Sequence, residues 1–160
     1  MPRVFQPARF AGSSAPEVQS MQYDVAQVFT KGAVLVYEGG ATGEVIEGAA
    51  DPAAIVGVAL EAANSKPGFG VGNAASIVAT TGRAQEVSVA KANRQTIFTG
   101  RGTSAPTLAS IGVAYGIVKS GSDWIVDVTD VVNTRVRIID VDVDNALFFF
   151  RFLEAALAQP

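Results

Sequence analysis

Residues Lys31 to Leu60 read KGAVLVYEGGATGEVIEGAADPAAIVGVAL, which divides into three short strands and two turns with almost nothing left over. Ala33 to Tyr37 is an apolar, β-rich run. Gly39, Gly40 and Gly43 close it, because they supply the positive φ that a hairpin loop needs and that branched residues resist. Glu44 to Glu47 returns as a second strand. Asp51-Pro52-Ala53-Ala54 offers a capping carboxylate followed by a proline with its φ preset, which predicts one helical turn or a type I turn. Ile55 to Leu60 is the most regular part. Val56, Val58 and Leu60 share one face by the period of two, while Gly57 and Ala59 lie with Ile55 on the other and leave room for a second backbone or sheet to approach. This spacing predicts an interior strand.

Composition sets the bounds around that core. At 160 residues the prior is one domain, long enough to bury roughly 70% of the surface its unfolded chain exposes. Apolar residues make up 49% and charged residues 17%, against about 25% charged in an ordinary soluble domain. Part of the apolar surface is therefore expected to meet other chains. The net charge of −3 argues against a non-specific nucleic-acid binder, which needs a basic excess to release counterions. Cysteine and histidine are both absent. A disulfide framework, a thiolate or imidazole metal site and a histidine general base are thereby excluded. There is no apolar leader segment at the N-terminus, and no apolar run nears the roughly 18 residues of a membrane helix, so a soluble, unprocessed chain with no membrane partner is expected.

Along the chain, Met1 to Val18 holds Pro2, Pro7, Pro16, Gly12 and Ser13-Ser14 without periodicity and reads as an extended arm, assigned to residues 1–20. Phe5 and Phe10 are its apolar anchors, and Arg3 and Arg9 its only charges before Glu17. Such an arm either lies along an acidic or mixed partner surface or is an unordered terminus. Residues 21–160 then form a single β domain. Met21 to Phe29 alternates as a strand. Glu61 to Asn73, with Pro67 and three glycines, reads as a surface loop. Its GFGVG lacks the register and the following helix of a phosphate-binding loop, since β-branched Ala74 to Thr80 comes next. Gln85, Val87 and Val89 continue the strand series. Lys91 to Gly102, with Lys91, Arg94 and Arg101 and no acid, reads as a solvated basic loop.

The last third is again β. Val113 to Lys119 and Asp123 to Val128 flank Ser120-Gly121-Ser122 as a hairpin, with Trp124, Val126 and Val128 on one face and Trp124 in the core. In Arg135 to Asp144 the apolar parity starts with Val136 and Ile138 and then switches to Val141 and Val143. A one-residue slip moves every side chain to the other face, so a β-bulge or a strand break is predicted at Ile138-Ile139. Leu147 to Phe152, LFFFRF, is apolar on both faces apart from Arg151. It is either central in a sheet or buried in a subunit interface, which makes Phe148, Phe149 and Phe150 the candidate self-association residues. A short helix is expected within Phe152 to Ala158.

The search for chemistry returns little. Asp140, Asp142 and Asp144 open like a calcium loop but lack its glycine and distal glutamate, so they read as a solvated strand face. There is no G-x-S-x-G elbow. The expectation is a non-enzyme without cofactor, metal or catalytic residues. Gln27-x-Phe29-x-Lys31-Gly32, the apolar run after it, the Gly39-Gly40 turn and Ala50 to Leu60 together resemble the small head decoration, or cement, proteins of tailed bacteriophages. That resemblance covers about forty residues. It implies an all-β, compact β-barrel or β-tulip-like domain with an extended N-terminal arm. It also implies a trimer on the outer capsid surface of the virion, with Arg3, Phe5, Arg9 and Phe10 reaching the major capsid protein. The alternatives are a tail or baseplate component, or a carbohydrate- or host-surface-binding module, which would need an aromatic platform built from Tyr23, Tyr37, Tyr115 and any exposed phenylalanines.

Overall fold

The computed structural model describes residues 5–10, 15–24, 27–39, 43–63 and 86–158, and these are nearly all β. The strands are β1 (Gln6–Phe10), β2 (Val18–Gln22), β3 (Val34–Tyr37), β4 (Val45–Glu47), β5 (Ile55–Ala59), β6 (Glu86–Lys91), β7 (Thr96–Gly100), β8 (Ala114–Ser120), β9 (Asp123–Asp127), β10 (Val136–Asp142) and β11 (Leu147–Phe152). They form a six-stranded sheet in the order β1-β7-β11-β10-β8-β9 and a five-stranded sheet in the order β2-β6-β5-β3-β4. One hydrophobic cluster runs through both.

The six-stranded sheet curls into a half-barrel, and the reason lies in how its strands share partners. β8 pairs with β10 only at Ala114 and Tyr115, then turns to pair with β9 over Gly116 to Ser120. β9 in turn meets the continuation of β7. Thr103 N donates to Val126 O at 2.9 Å, and Val126 N donates to Arg101 O at 2.9 Å. The rim of the curl is thus stitched back to the chain that leaves its second strand. The β8–β9 hairpin turns through Gly121 at φ +64, with Ser120 opposite Asp123, as the sequence predicted. The predicted irregularity is a β-bulge: Ile138 faces Phe150 and Asp140 faces Phe149, leaving Ile139 as the extra residue.

In the second sheet, β5 is interior and buried along its whole length. Gly57 explains how: a Cβ there would lie 2.3 Å from Ala90 O and 2.6 Å from a Val89 methyl. The hairpin from β3 to β4 is also present, with Tyr37 opposite Val45 and Gly43 at φ +70.

Several expectations are corrected. Residues 5–10 and 18–22 are not a free arm. β1 is an edge strand hydrogen-bonded to β7, and β2 is an edge strand on β6. Phe5 is buried, and its ring packs at 2.4 Å from where a Cβ on Gly100 would stand. Burying a phenylalanine is worth about 1.5–3 kcal/mol, which ties this end of the chain to the domain's own core. Lys91 to Gly102 is no solvated loop, since β7 within it is buried throughout. A strand covered on both faces shows no alternation for a sequence reading to find. The strand expected over Met21 to Phe29 lies earlier, at β2. Asp51-Pro52-Ala53-Ala54 forms neither a helical turn nor a hydrogen-bonded turn but a pair of bends, with Asp51 and Ala54 at φ +48 and +60. The C-terminal helix is a single 3-10 turn, Glu154–Ala156. The GFGVG segment, the strand expected over Ala74 to Thr80, and Gln85 lie outside the described residues.

Gly57→Ala tests the close approach of β5 and β6. The added methyl has backbone rather than a movable side chain in its way, so the variant should lose about 3 kcal/mol or more in urea unfolding, or fail to fold. A loss within experimental error would contradict the packing.

Candidate functional site

Of the residues singled out in the sequence, the structure brings Phe5, Phe148 and Phe150 together, but inside the protein. Phe5 meets Phe150 edge-on at a centroid distance of 4.8 Å, and Phe98 and Phe152 complete the aromatic cluster. Phe148 and Phe150 point into the half-barrel, while Phe149 is half-buried on the opposite face. β11 is the central strand between β7 and β10, so its apolar character serves the core, and Phe148 and Phe150 are not available for self-association. Arg3 lies outside the described residues, as do the side chains of Arg9 and Phe10.

The tyrosines do not assemble a platform. Tyr23 is buried, its hydroxyl donating to Ala63 O, and burial followed by the nearby Glu61 carboxylate pushes its pKa up. Tyr115 is half-buried and Tyr37 is exposed. Trp124 is a core residue, as expected. Its indole N–H donates to Glu47 Oε1 at 2.9 Å, and Lys119 holds Glu47 Oε2 at 2.7 Å. One glutamate at the end of β4 thereby pins the β8–β9 hairpin.

A different surface feature stands out, at the loop from β9 to β10. Asp127 Oδ1 accepts from Thr129 N at 3.0 Å and from the Thr129 hydroxyl at 2.6 Å. Asp130 Oδ1 accepts from Val132 N at 2.9 Å and Asn133 N at 2.8 Å, and Asp130 Oδ2 from the Asn133 amide at 3.1 Å. The Asp130 carbonyl accepts from Gly116 N at 2.8 Å. Two successive side-chain turns therefore use up the loop's own polar groups. What they leave outside is Val131 at 60% and Val132 at 84% exposure. An apolar pair held on a rigid turn is a preorganised contact surface, because little entropy remains to be lost when a partner covers it.

The loop is anchored to the second sheet through Asp51. Ile117 N donates to Asp51 Oδ1 at 2.7 Å while Asp51 N donates to Ile117 O at 3.0 Å, so Asp51 acts like one rung of a strand against β8. Arg135 Nε donates to Asp51 O at 2.8 Å and to Pro52 O at 2.9 Å. The Asp51 and Asp130 carboxyls lie side by side against Gly116. Burial, then the Asp130 charge, raises the Asp51 pKa against the opposing hydrogen bond from Ile117. The Asn133 and Val132 N–H groups lower that of Asp130. The two carboxyls are thus shifted in opposite directions, Asp51 up and Asp130 down. Gly116 allows the arrangement, since a Cβ there would lie 2.6 Å from Asp51 Oδ1.

Sequence reading missed this loop, although Asp127-x-Thr129 and Asp130-x-x-Asn133 bracketing Val131-Val132 carried the signal. Asp140, Asp142 and Asp144 do not converge. Asp142 accepts from the Asn145 N–H and amide, which lower its pKa, and Asp144 is exposed. Among the described residues no group of three acidic, histidine or cysteine side chains is placed to hold a metal ion, and no helix is long and apolar enough to cross a membrane. Comparison of the chain with known protein families, with characterised proteins and with solved structures finds no match.

The carboxyl pair sets a pH dependence. Asp51, with its pKa raised in the fold, contributes stability below the ordinary value of 3.8 and loses it as pH rises through the folded value. Asp130, with its pKa lowered, contributes stability above 3.8 that is lost as pH falls through its folded value. Asp51→Asn keeps the acceptor for Ile117 and donates to Asp130 without the like charge. In urea unfolding it should equal or exceed the parent at pH 7, with any advantage gone near pH 3. Asp51→Ala, which strands the Ile117 N–H, should cost about 1–3 kcal/mol at both pH values. A destabilised Asp51→Asn at pH 7 would contradict the upward shift of Asp51 by burial and the Asp130 charge.

Proposed function

We propose that the protein is a non-enzymatic structural protein of a virion, attached to the outer capsid surface, where it binds the major capsid protein and copies of itself, as a trimer, and stabilises the shell. The observation that carries this reading is the Val131-Val132 knob: a rigid, solvent-facing apolar pair on a β domain whose sequence is only 17% charged. The resemblance of Gln27 to Leu60 to phage head decoration proteins points the same way.

The mechanism is attachment without chemistry. A standard interface buries about 800 Å² per partner, and the shell presents the same contact many times over, so modest individual affinities sum to a strong hold against internal pressure. Contact runs through the preformed loop, not through Phe5, which the domain keeps for its own core. Neither partner needs a charged complement at the knob, which suits a surface that must pack against repeated copies. Each valine fully buried contributes about 1.5–3 kcal/mol.

Cosedimentation with capsids that lack the protein tests the proposal. Val131→Asp and Val132→Asp should each weaken binding at least about 10-fold, while urea unfolding changes by no more than about 0.5 kcal/mol, as for other surface positions. Binding that is absent in the parent, or unchanged in both variants, would overturn it.

A further inference from the structure

The outer face of the six-stranded sheet carries a second feature that the proposed function does not use. Arg137 on β10 and Arg151 on β11 are directly opposite one another in the antiparallel register. Two rungs back, Leu153 N donates to Arg135 O at 2.8 Å; with Val136 opposite Phe152 as the non-hydrogen-bonded rung between, the alternation of antiparallel ladders makes the Arg137–Arg151 rung hydrogen-bonded as well. Their Cβ atoms are then about 5 Å apart, a placement in which like charges destabilise a sheet. Both side chains are exposed. Arg137 is oriented by donating from Nη1 to Gly112 O at 2.8 Å. Arg151 has no hydrogen-bond or ion-pair partner among the described residues.

Beside this pair the surface dips into a pocket of about 160 Å³ lined by Arg94, Arg137, Arg151, Phe152, Leu153 and Glu154. Arg94 forms an ion pair with Glu154, which leaves the other two guanidinium groups uncompensated. The lining thus carries three positive charges and one negative, 3 − 1 = +2, in a chain whose net charge is −3. A cation pair gathered in a pocket of an acidic protein is explained by what fills it. Guanidinium groups present planar, paired N–H donors matched to oxyanions.

We infer that the Arg94, Arg137 and Arg151 pocket is a binding site for a dianionic oxyanion, a phosphate or sulfate group. A dianion balances the charge left over after the Arg94–Glu154 pair, and it turns the repulsion across the Arg137–Arg151 rung into a shared attraction. A single carboxylate supplies half of that charge. The volume accommodates one such group with bound water, given roughly 30 Å³ per water in the liquid, and the half-buried Leu153 and the edge of Phe152 form its apolar side. The group can arrive as the free anion or as a monoester on a larger molecule.

Isothermal titration of the full-length protein at low ionic strength tests the site, with inorganic phosphate, sulfate, O-phosphoserine and acetate as probes and sodium chloride at matched ionic strength as the reference. The site predicts saturable binding of phosphate and sulfate, binding of acetate that is at least 10-fold weaker or undetectable, and a loss of at least 10-fold in Arg151→Gln and in Arg137→Gln. O-phosphoserine binding more tightly than phosphate identifies an esterified ligand, and equal binding identifies the free anion; either supports the site. Melting curves check the fold independently. In chloride alone Arg151→Gln should melt no lower than the parent, because the substitution removes a like-charge contact, whereas saturating phosphate should raise the parent by about 2–4 °C and the variant not at all. Phosphate that binds no better than chloride, acetate that binds as well as phosphate, or binding retained in both variants would overturn the inference.

Discussion

The structure depends on one constraint at the end of β7, where the chain must serve two sets of neighbours within a few residues. Over Thr96–Gly100 it pairs with β1 and β11, and over Arg101 to Thr103 it reaches β9. Gly100-Arg101-Gly102 makes the transfer possible. A Cβ on Gly100 would strike the Phe5 ring at 2.4 Å, and one on Gly102 would strike the Phe148 ring at 2.6 Å. Two aromatic rings therefore lie directly on the backbone at the point where the sheet curls back on itself. The half-barrel, the burial of Phe5 and the capture of β1 as an edge strand follow from that contact together.

From this core, order passes outward to the surface loops by hydrogen bonds instead of apolar packing. Glu47 and Asp51, the acids that bracket the link from β4 to β5, each reach across to the other sheet, Glu47 to Trp124 and Lys119, Asp51 to Ile117. Asp51 then meets Asp130, and Asp130 shapes the turn that holds Val131 and Val132 in solvent. The hydrogen bonds of Asp51 and Asp130 thus fix the shape of a loop far out on the surface.

Much of the fold is legible in the sequence where the physics is local. The hairpins at Gly43 and Gly121, the interior position of Ile55 to Ala59 and the bulge at Ile139 all follow from turn chemistry and the period of two. The change of apolar parity between Ile138 and Val141 located the bulge because only an extra residue lets both halves face the core. What the sequence concealed was non-local. Thr96–Gly100 carries no alternation because both of its faces are covered, and Phe5 looked like an anchor for another chain because nothing nearby in sequence reveals the space above Gly100. LFFFRF admitted two readings, and the one that places Phe148 and Phe150 in the core depends on β7 and β10 lying on either side. At the surface, Asp127-x-Thr129 and Asp130-x-x-Asn133 were local and readable. The Arg137–Arg151 rung was not, since it needs the register of β10 against β11.

A domain built in this way buries most of its aromatic residues and presents small apolar side chains on a hydrogen-bonded turn, which suits the proposed attachment to a capsid. Hydroxyl-radical footprinting of the protein, free and bound to capsids that lack it, tests that view most directly, because it reads the solvent exposure of individual side chains. The account predicts that Val131 and Val132 are oxidised in the free protein and protected on the capsid, with the buried aromatic cluster unlabelled in both. Equal labelling of the two valines with and without capsids would contradict it.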